Sequence, residues 1–209
     1  HLGLPSIPHS RARMDSVELF PFRHAIEAGM GAVMTAHISV PSLDGGVGDP
    51  STLSSAVLTD LLRGEMEFDG LLFTDAMDMA AVNRLYPRGE AAVRALMAGA
   101  DVILMPRDVK QAIDAIVKAV DTGRPTEARS DESVGRLLRL KENLGLAEER
   151  SVALEMVPRV VGVPEHIEIS REIAEHSITL IQNERNLLPL LGTRGARVLS
   201  VSFRNPNDV

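Results

Sequence analysis

The sequence predicts an α/β fold built on a parallel sheet, and three observations predict it. Short apolar runs without polar alternation start near residues 31, 70 and 101. Each is followed by a stretch with helical apolar spacing. The starts lie about 30–40 residues apart, the size of a βα unit. Three successive units fit either an open doubly wound sheet or part of a (β/α)8 barrel, and spacing alone does not separate the two.

Residues 1–14 carry Pro5 and Pro8 and read as an extended loop. A helix follows over 16–28, with Val17, Phe20, Ala25 and Ile26 on one side. Pro21 is tolerated if it falls in the first turn, and Gly29 ends the helix. The run 30–38 (MGAVMTAHI) reads as a strand buried on both faces. Ser54 is the expected N-cap of a helix over 55–65, with Leu58, Leu61 and Leu62 inside. A second strand over 70–74 ends at Asp75, and its helix spans 88–98. The third strand, 101–105, is stopped by Pro106. Its helix, 109–121, sets Ile113, Ile116, Val117 and Val120 at helical spacing before Gly123. Val134, Leu137, Leu138 and Lys141 mark a helix over 131–144, ended by Gly145.

Residues 147–165 read as a linker with Pro158 and Pro164. A helix over 165–176, strands over 178–181 and 197–203, and a turn-rich loop between them read as the start of a second α/β domain. The expected organisation is therefore 1–146, a linker over 147–165, and 166–209. The chain opens on His1, not Met, directly in a loop-like stretch, so residue 1 reads as a cut point.

Composition excludes several functions. Twenty-two basic and 29 acidic residues give a net charge of −7 without a basic cluster, which disfavours nucleic acid as a partner. There is no cysteine, so thiol catalysis, disulfides and Cys-based metal sites are excluded. No apolar run approaches the roughly 20 residues of a transmembrane helix. Trp is absent and Tyr occurs once, which disfavours a broad binding face built on stacked aromatic rings and leaves a small pocket open.

The strongest local feature is residues 68–79, FDGLLFTDAMDM. An apolar strand there ends in a carboxylate. Parallel α/β folds bind ligands beyond the carboxyl ends of their strands, so Asp75 sits where a reacting carboxylate belongs. A helix cap or an ion-pair partner is the competing reading of Asp75. Asp78 reads as a solvated or capping acid. His37 ends the preceding strand and faces the same mouth; the alternative is a histidine satisfied by backbone. His37 and Asp75 alone do not make a metal site, and no cofactor is expected. Arg107 and Asp108 edge the pocket or form a surface salt bridge. No phosphate-binding loop, nucleophile elbow or dinucleotide fingerprint is present.

Four stretches together resemble glycoside hydrolase family 3, in its N-acetylglucosaminidase branch. They are residues 1–5 (HLGLP), 33–38 (VMTAHI), the 68–79 block, and 98–106 (AGADVILMP) with the helix that ends in KENLGL at 141–146. The first is similar to the end of that branch's Asp-Ser-His-x-x-Leu-Pro loop, and the third to its FxGxxxTDAMxM nucleophile strand. A weaker likeness covers 177–190, at the start of the second domain of two-domain members.

The resemblance implies a (β/α)8 barrel of which this chain holds the last three βα units, the N-terminal half being needed to complete the site. It implies a retaining glycosidase that removes terminal β-linked N-acetylglucosamine, plausible substrates being peptidoglycan or chitooligosaccharide fragments. Asp75 is implied as the nucleophile and His1 as the acid/base, with His37, Met77 and Met79 contacting the sugar. Two-domain relatives are often exported, which leans towards an extracytoplasmic site. A β-glucosidase or phosphorylase of the same family, and a non-catalytic α/β binding module, stay open as alternatives.

Overall fold

A computed structural model of the chain describes residues 3–46, 48–86, 89–184 and 188–189. The chain divides into two compact units, His1–Arg150 and Ser151–Val209.

In the first unit, the amino-terminal helix starts earlier than predicted. Ser10 caps a helical turn, Arg11–Arg13, by accepting from the Arg13 amide. A widened, π-type turn follows over Met14–Glu18, and a regular helix over Phe20–Glu27. Pro21 falls in the first turn of that last helix, as its missing N–H requires. The widened turn ahead of it leaves room for the pyrrolidine ring. Gly29, at φ +86°, ends the segment.

Two short parallel strands form the sheet: β1, Ala32–Met34, and β2, Leu71–Phe73. They pair in register, Val33 opposite Leu72. One face, Val33 and Leu72, packs into the core under the Ala56–Glu65 helix and the Glu90–Ala98 helix. Leu58, Leu61 and Leu62 face inward as predicted. Ala91, Ala95 and Ala98 supply the small side chains that let the second helix approach. The expectation that β1 is buried on both faces is corrected. Ala32 and Met34 lie on the other face and are open, Met34 at 56 % exposure. Among the described residues no strand pairs the far edge of Ala32–Met34.

Three further expectations are corrected. Residues 101–105 make no regular strand: they form a single parallel bridge to β2, Phe73 opposite Val102, with the Asp101 and Val102 amides both donating to the Leu72 carbonyl. The physical reason is that the Thr74 hydroxyl accepts the Leu104 amide, taking a bond that a backbone ladder would use. Ser54 caps nothing with its side chain; the Ala56–Glu65 helix is widened and has no side-chain cap. The 131–144 helix starts at Glu127, because Thr126 accepts from the Arg129 amide and caps it.

The Val109–Asp121 helix has the predicted bounds. Asp108 caps it by accepting from Gln111, and Gly123 at φ +79° ends it. Its buried position is Ala112, whereas Ile113 and Val117 are about half exposed, at 55 % and 54 %. Helical spacing identified an apolar face but not what covers it.

Gly89, the N-cap of the Glu90–Ala98 helix, has φ +83°. A Cβ there would lie 2.6 Å from the Ala115 Cβ and 2.9 Å from the Gln111 carbonyl oxygen. Gly89→Ala is therefore expected to destabilise the protein by about 2–4 kcal/mol, from left-handed strain and overpacking together. Urea denaturation measures it, and an unchanged midpoint contradicts the close approach.

In the second unit, the predicted linker contains two helical turns, Leu154–Met156 and Val157–Val160. A helix over Pro164–Ser177 follows. Residues 178–181 are exposed and form no strand with any described residue, which corrects the strand expected there. The predicted strand over 197–203 lies outside the described residues.

Candidate active site

Asp75 stands two residues beyond the carboxyl end of β2, on a segment pinned at two peptide planes. The first plane joins Phe73 to Thr74. Its carbonyl accepts the Thr35 amide at 2.9 Å, and its N–H donates to the Val102 carbonyl at 3.0 Å. The second joins Ala76 to Met77. Its carbonyl oxygen lies 3.0 Å from the His37 Nε2, and its N–H donates to the Leu104 carbonyl at 2.9 Å. Each plane is thus held from one side by the segment after β1 and from the other by residues 102–104. Thr74, fully buried, adds the Leu104 bond through its hydroxyl. Only a few dihedrals between the two planes remain to aim the Asp75 side chain.

Asp75 itself is partly exposed. Its Oδ1 accepts the Ala76 amide at 2.7 Å. Its Oδ2 takes no hydrogen bond from a described residue, and the carboxylate makes no ion pair among them. One oxygen is fixed and the other is available to a ligand, the arrangement a carboxylate nucleophile needs. Asp78 is exposed.

His37 is 3 % exposed. Its Nδ1 lies 2.9 Å from the Thr52 hydroxyl, and its Nε2 faces the Ala76 carbonyl. Both nitrogens are therefore occupied, one by a side-chain hydroxyl and one by a backbone carbonyl. Met77 is 4 % exposed and its side chain packs in the core. Met77 also lines a cavity of about 370 Å³ with Tyr86, Pro106, Arg107, Asp108 and Gln111, and Asp75 is not part of that lining. Met79 is partly exposed. Asp108 is a helix cap, and neither it nor Arg107 forms a salt bridge among the described residues. His1 lies outside the described residues. The pins at Thr52, Thr74 and Leu104 were not legible in the sequence, because each depends on contacts between segments distant along the chain.

Behind the strands, the Asp101 side chain is fully buried and joins two helices to β2. Its Oδ2 accepts from Arg63 at 2.6 Å and from the Leu72 amide at 3.0 Å. Its Oδ1 accepts from Ser133 at 2.7 Å and Arg136 at 3.1 Å, and Arg129 lies 3.5 Å away. Burial pushes the Arg63 guanidinium down from its ordinary value, Asp101 pulls it up, and Arg136 and Arg129 push it down again.

Tyr86 donates its hydroxyl to Asp49 and lies under the Arg94 guanidinium. The Asp49 hydrogen bond, then burial, then the Asp49 charge hold the phenol above its ordinary value. Folding therefore favours the protonated phenol. That contribution is present below the ordinary phenol range of about 10 and is lost as pH rises through the folded value. A titration of phenolate absorbance, read as the difference from Tyr86→Phe, is expected to show the raised midpoint. Asp49→Asn is expected to move it back down; an unmoved midpoint contradicts the contact.

No helix among the described residues is long and apolar enough to cross a membrane. No group of three or more His, Cys, Asp or Glu among them could hold a metal ion.

A partly exposed carboxylate beyond the end of a parallel strand is the arrangement of an α/β domain that works on small ligands. Residues 1–140 match the glycosyl hydrolase family 3 N terminal domain. The chain belongs to that family, whose N-terminal domain is a TIM-barrel-like α/β fold. It is 34 % identical over 192 residues to a β-N-acetylglucosaminidase/β-glucosidase of Cellulomonas fimi, covering 88 % of this chain and 34 % of that protein. The structure of a family 3 β-N-acetylglucosaminidase from Paenibacillus sp. str. FPU-7 is similar with TM-score 0.73 and 43 % identity, over 88 % of this chain and 35 % of the other. A β-glucoside phosphorylase structure is similar with TM-score 0.76 and 29 % identity, over 91 % and 36 %. The chain thus spans about a third of the length of these relatives.

Proposed function

We propose that this chain is part of a retaining glycosidase that removes terminal β-linked N-acetylglucosamine, with Asp75 as nucleophile. The observation that carries the reading is a carboxylate with one oxygen fixed and one without a partner among the described residues, on a doubly pinned segment beyond β2. The names of the relatives support the sugar: one is a β-N-acetylglucosaminidase/β-glucosidase and another a family 3 β-N-acetylglucosaminidase. Residues 1–146 supply the last three βα units of the barrel, and 166–209 begin a second α/β domain after a linker over 147–165. The rest of the barrel completes the sugar pocket.

In the first step an Asp75 oxygen attacks the anomeric carbon as the glycosidic C–O bond breaks. The His1 imidazolium protonates the departing oxygen. In the second step His1 takes a proton from water, which attacks the same carbon and releases Asp75. An imidazole serves both directions because its ordinary pKa lies near neutrality. Met79 contacts the sugar at the edge of the site. Peptidoglycan or chitooligosaccharide fragments are the natural substrates in this reading.

A second reading is phosphorolysis, favoured by the similarity to a β-glucoside phosphorylase. A neutral imidazole repels phosphate less than a carboxylate would, so phosphate could take the place of water.

The test is a panel of chromogenic β-glycosides with the intact protein, with and without inorganic phosphate. Release from the N-acetylglucosaminide, with free sugar as product, is expected. Turnover of the β-glucoside alone overturns the sugar assignment, and a sugar 1-phosphate product selects the second reading.

A further inference from the structure

We infer that His37 is a positioning residue for Asp75, acting through the Ala76–Met77 peptide and not through the sugar; this rests on Asp75 being the nucleophile. The Ala76 carbonyl can only accept, so the facing His37 Nε2 carries the proton and donates. Behind the ring, the Thr35 hydroxyl donates to the Thr52 hydroxyl at 3.0 Å, and Thr52 has its own proton left for the His37 Nδ1 at 2.9 Å. Thr52 is fully buried, so that proton has no water to turn to. The chain of donors runs Thr35, Thr52, His37, Ala76 and fixes both the tautomer and the orientation of the ring.

The geometry gives this relay a function that packing alone does not. One pinned plane precedes Asp75 and is held entirely by backbone, through Thr35 and Val102. The plane that follows Asp75 is tied by backbone to one neighbouring segment only, at Leu104; the Met79 amide also donates to the Ala76 carbonyl at 3.2 Å, but within the same local turn. On the other side the His37 side chain stands in for the missing strand amide. Of the four bonds that tie the two planes to neighbouring segments, it is the one made by a side chain. The Ala76 N–H that fixes Asp75 Oδ1 belongs to the same short segment. A sugar hydroxyl could reach Nε2 only by displacing the Ala76 carbonyl, which would cut the plane's link to the segment after β1. Misplacing a reacting group by about 1 Å costs on the order of 100-fold in rate.

Two substitutions split the two ends of the ring. In His37→Gln the side-chain amide nitrogen falls where Nε2 was, so the bond to Ala76 is kept. In His37→Asn the shorter side chain meets Thr52 at the Nδ1 position and leaves the Ala76 carbonyl with the Met79 amide alone, without a link to the segment after β1. With the intact protein and a chromogenic N-acetylglucosaminide, His37→Asn is expected to lower kcat by about 100-fold with KM within about twofold. His37→Gln is expected to restore kcat to within about fivefold of wild type with the same pH profile.

Equal losses in both variants, or a rise in KM as the main effect, overturn the inference in favour of a structural or sugar-contact role. Should His37→Asn not fold, Thr52→Val removes the hydroxyl behind the ring; an unchanged kcat there overturns the inference, and a fall of about tenfold supports it. Wild type that turns over no glycoside overturns the functional reading beneath it. Wild type that is active alongside an equally active His37→Asn overturns the positioning role alone.

Discussion

Asp75→Ala in the intact protein is expected to lower turnover of the N-acetylglucosaminide by at least about 10⁴-fold, the scale seen when a catalytic nucleophile is removed. The same change is expected to leave the fold almost untouched. Among the described residues the partly exposed Asp75 side chain makes a single bond, to its neighbour's amide, worth about 1–2 kcal/mol. It pairs with no cation among the described residues, so no charge is stranded. Activity and stability therefore part company at this position. Thermal unfolding measured beside turnover checks both halves; an Asp75→Ala protein that melts many degrees early would assign the carboxylate to structure instead.

The opposite behaviour is expected at Asp101. Asp101→Asn keeps the shape and removes the charge on which Arg63, Arg129 and Arg136 converge. The three guanidiniums are mostly buried, with side chains 15–17 % exposed, and their mutual repulsion is then uncompensated. Breaking a buried ionic cluster by removing one partner costs about 3–5 kcal/mol. The nearby acids cannot replace Asp101: Asp69 and Glu132 are largely exposed and lie 3.8–4.0 Å from the nearest guanidinium nitrogens. For a unit of this size the loss corresponds to a fall in Tm on the order of 10 °C. A smaller effect is expected for Arg136→Met, because the carboxylate keeps Arg63, Arg129 and the Leu72 amide. A Tm within about 2 °C of wild type for Asp101→Asn would show that the cluster contributes little.

The elements that sequence located best are those whose ends carry their own signals. Asp108 and Gly123 mark both ends of the Val109–Asp121 helix, and its bounds follow from them. Thr126 was an equally good cap that the apolar pattern hid, because the first turn after it is polar. The strand positions were legible from apolar runs, yet the third run does not form a ladder. That outcome depends on the Thr74 hydroxyl reaching Leu104, 30 residues away. Asp75 was legible for the same reason as β2: the apolar strand points to its own end.

The roles around Asp75 were not legible in the same way. His37 and Met77 share the motif stretches with Asp75, which suggested sugar contacts for all three. Residue spacing says which end of a strand a side chain is near, not whether its polar atoms are already occupied. Only the structure shows that His37 is buried with both ring nitrogens hydrogen-bonded and that Met77 packs in the core. The exposed faces at Met34, Ile113 and Val117 make the same point from the apolar side. Periodicity identifies a face to be covered, and tertiary structure alone says whether it is.

The claim that carries the account is that one carboxylate beyond β2 forms a bond to sugar carbon. A fluorinated N-acetylglucosaminide whose glycosyl-enzyme is slow to hydrolyse tests it most directly, by peptide mass mapping of the inactivated intact protein. The account predicts one sugar per protein, on the peptide containing Asp75, and no label in Asp75→Ala. A label on another side chain, Asp78 included, or inactivation that persists without Asp75, contradicts it.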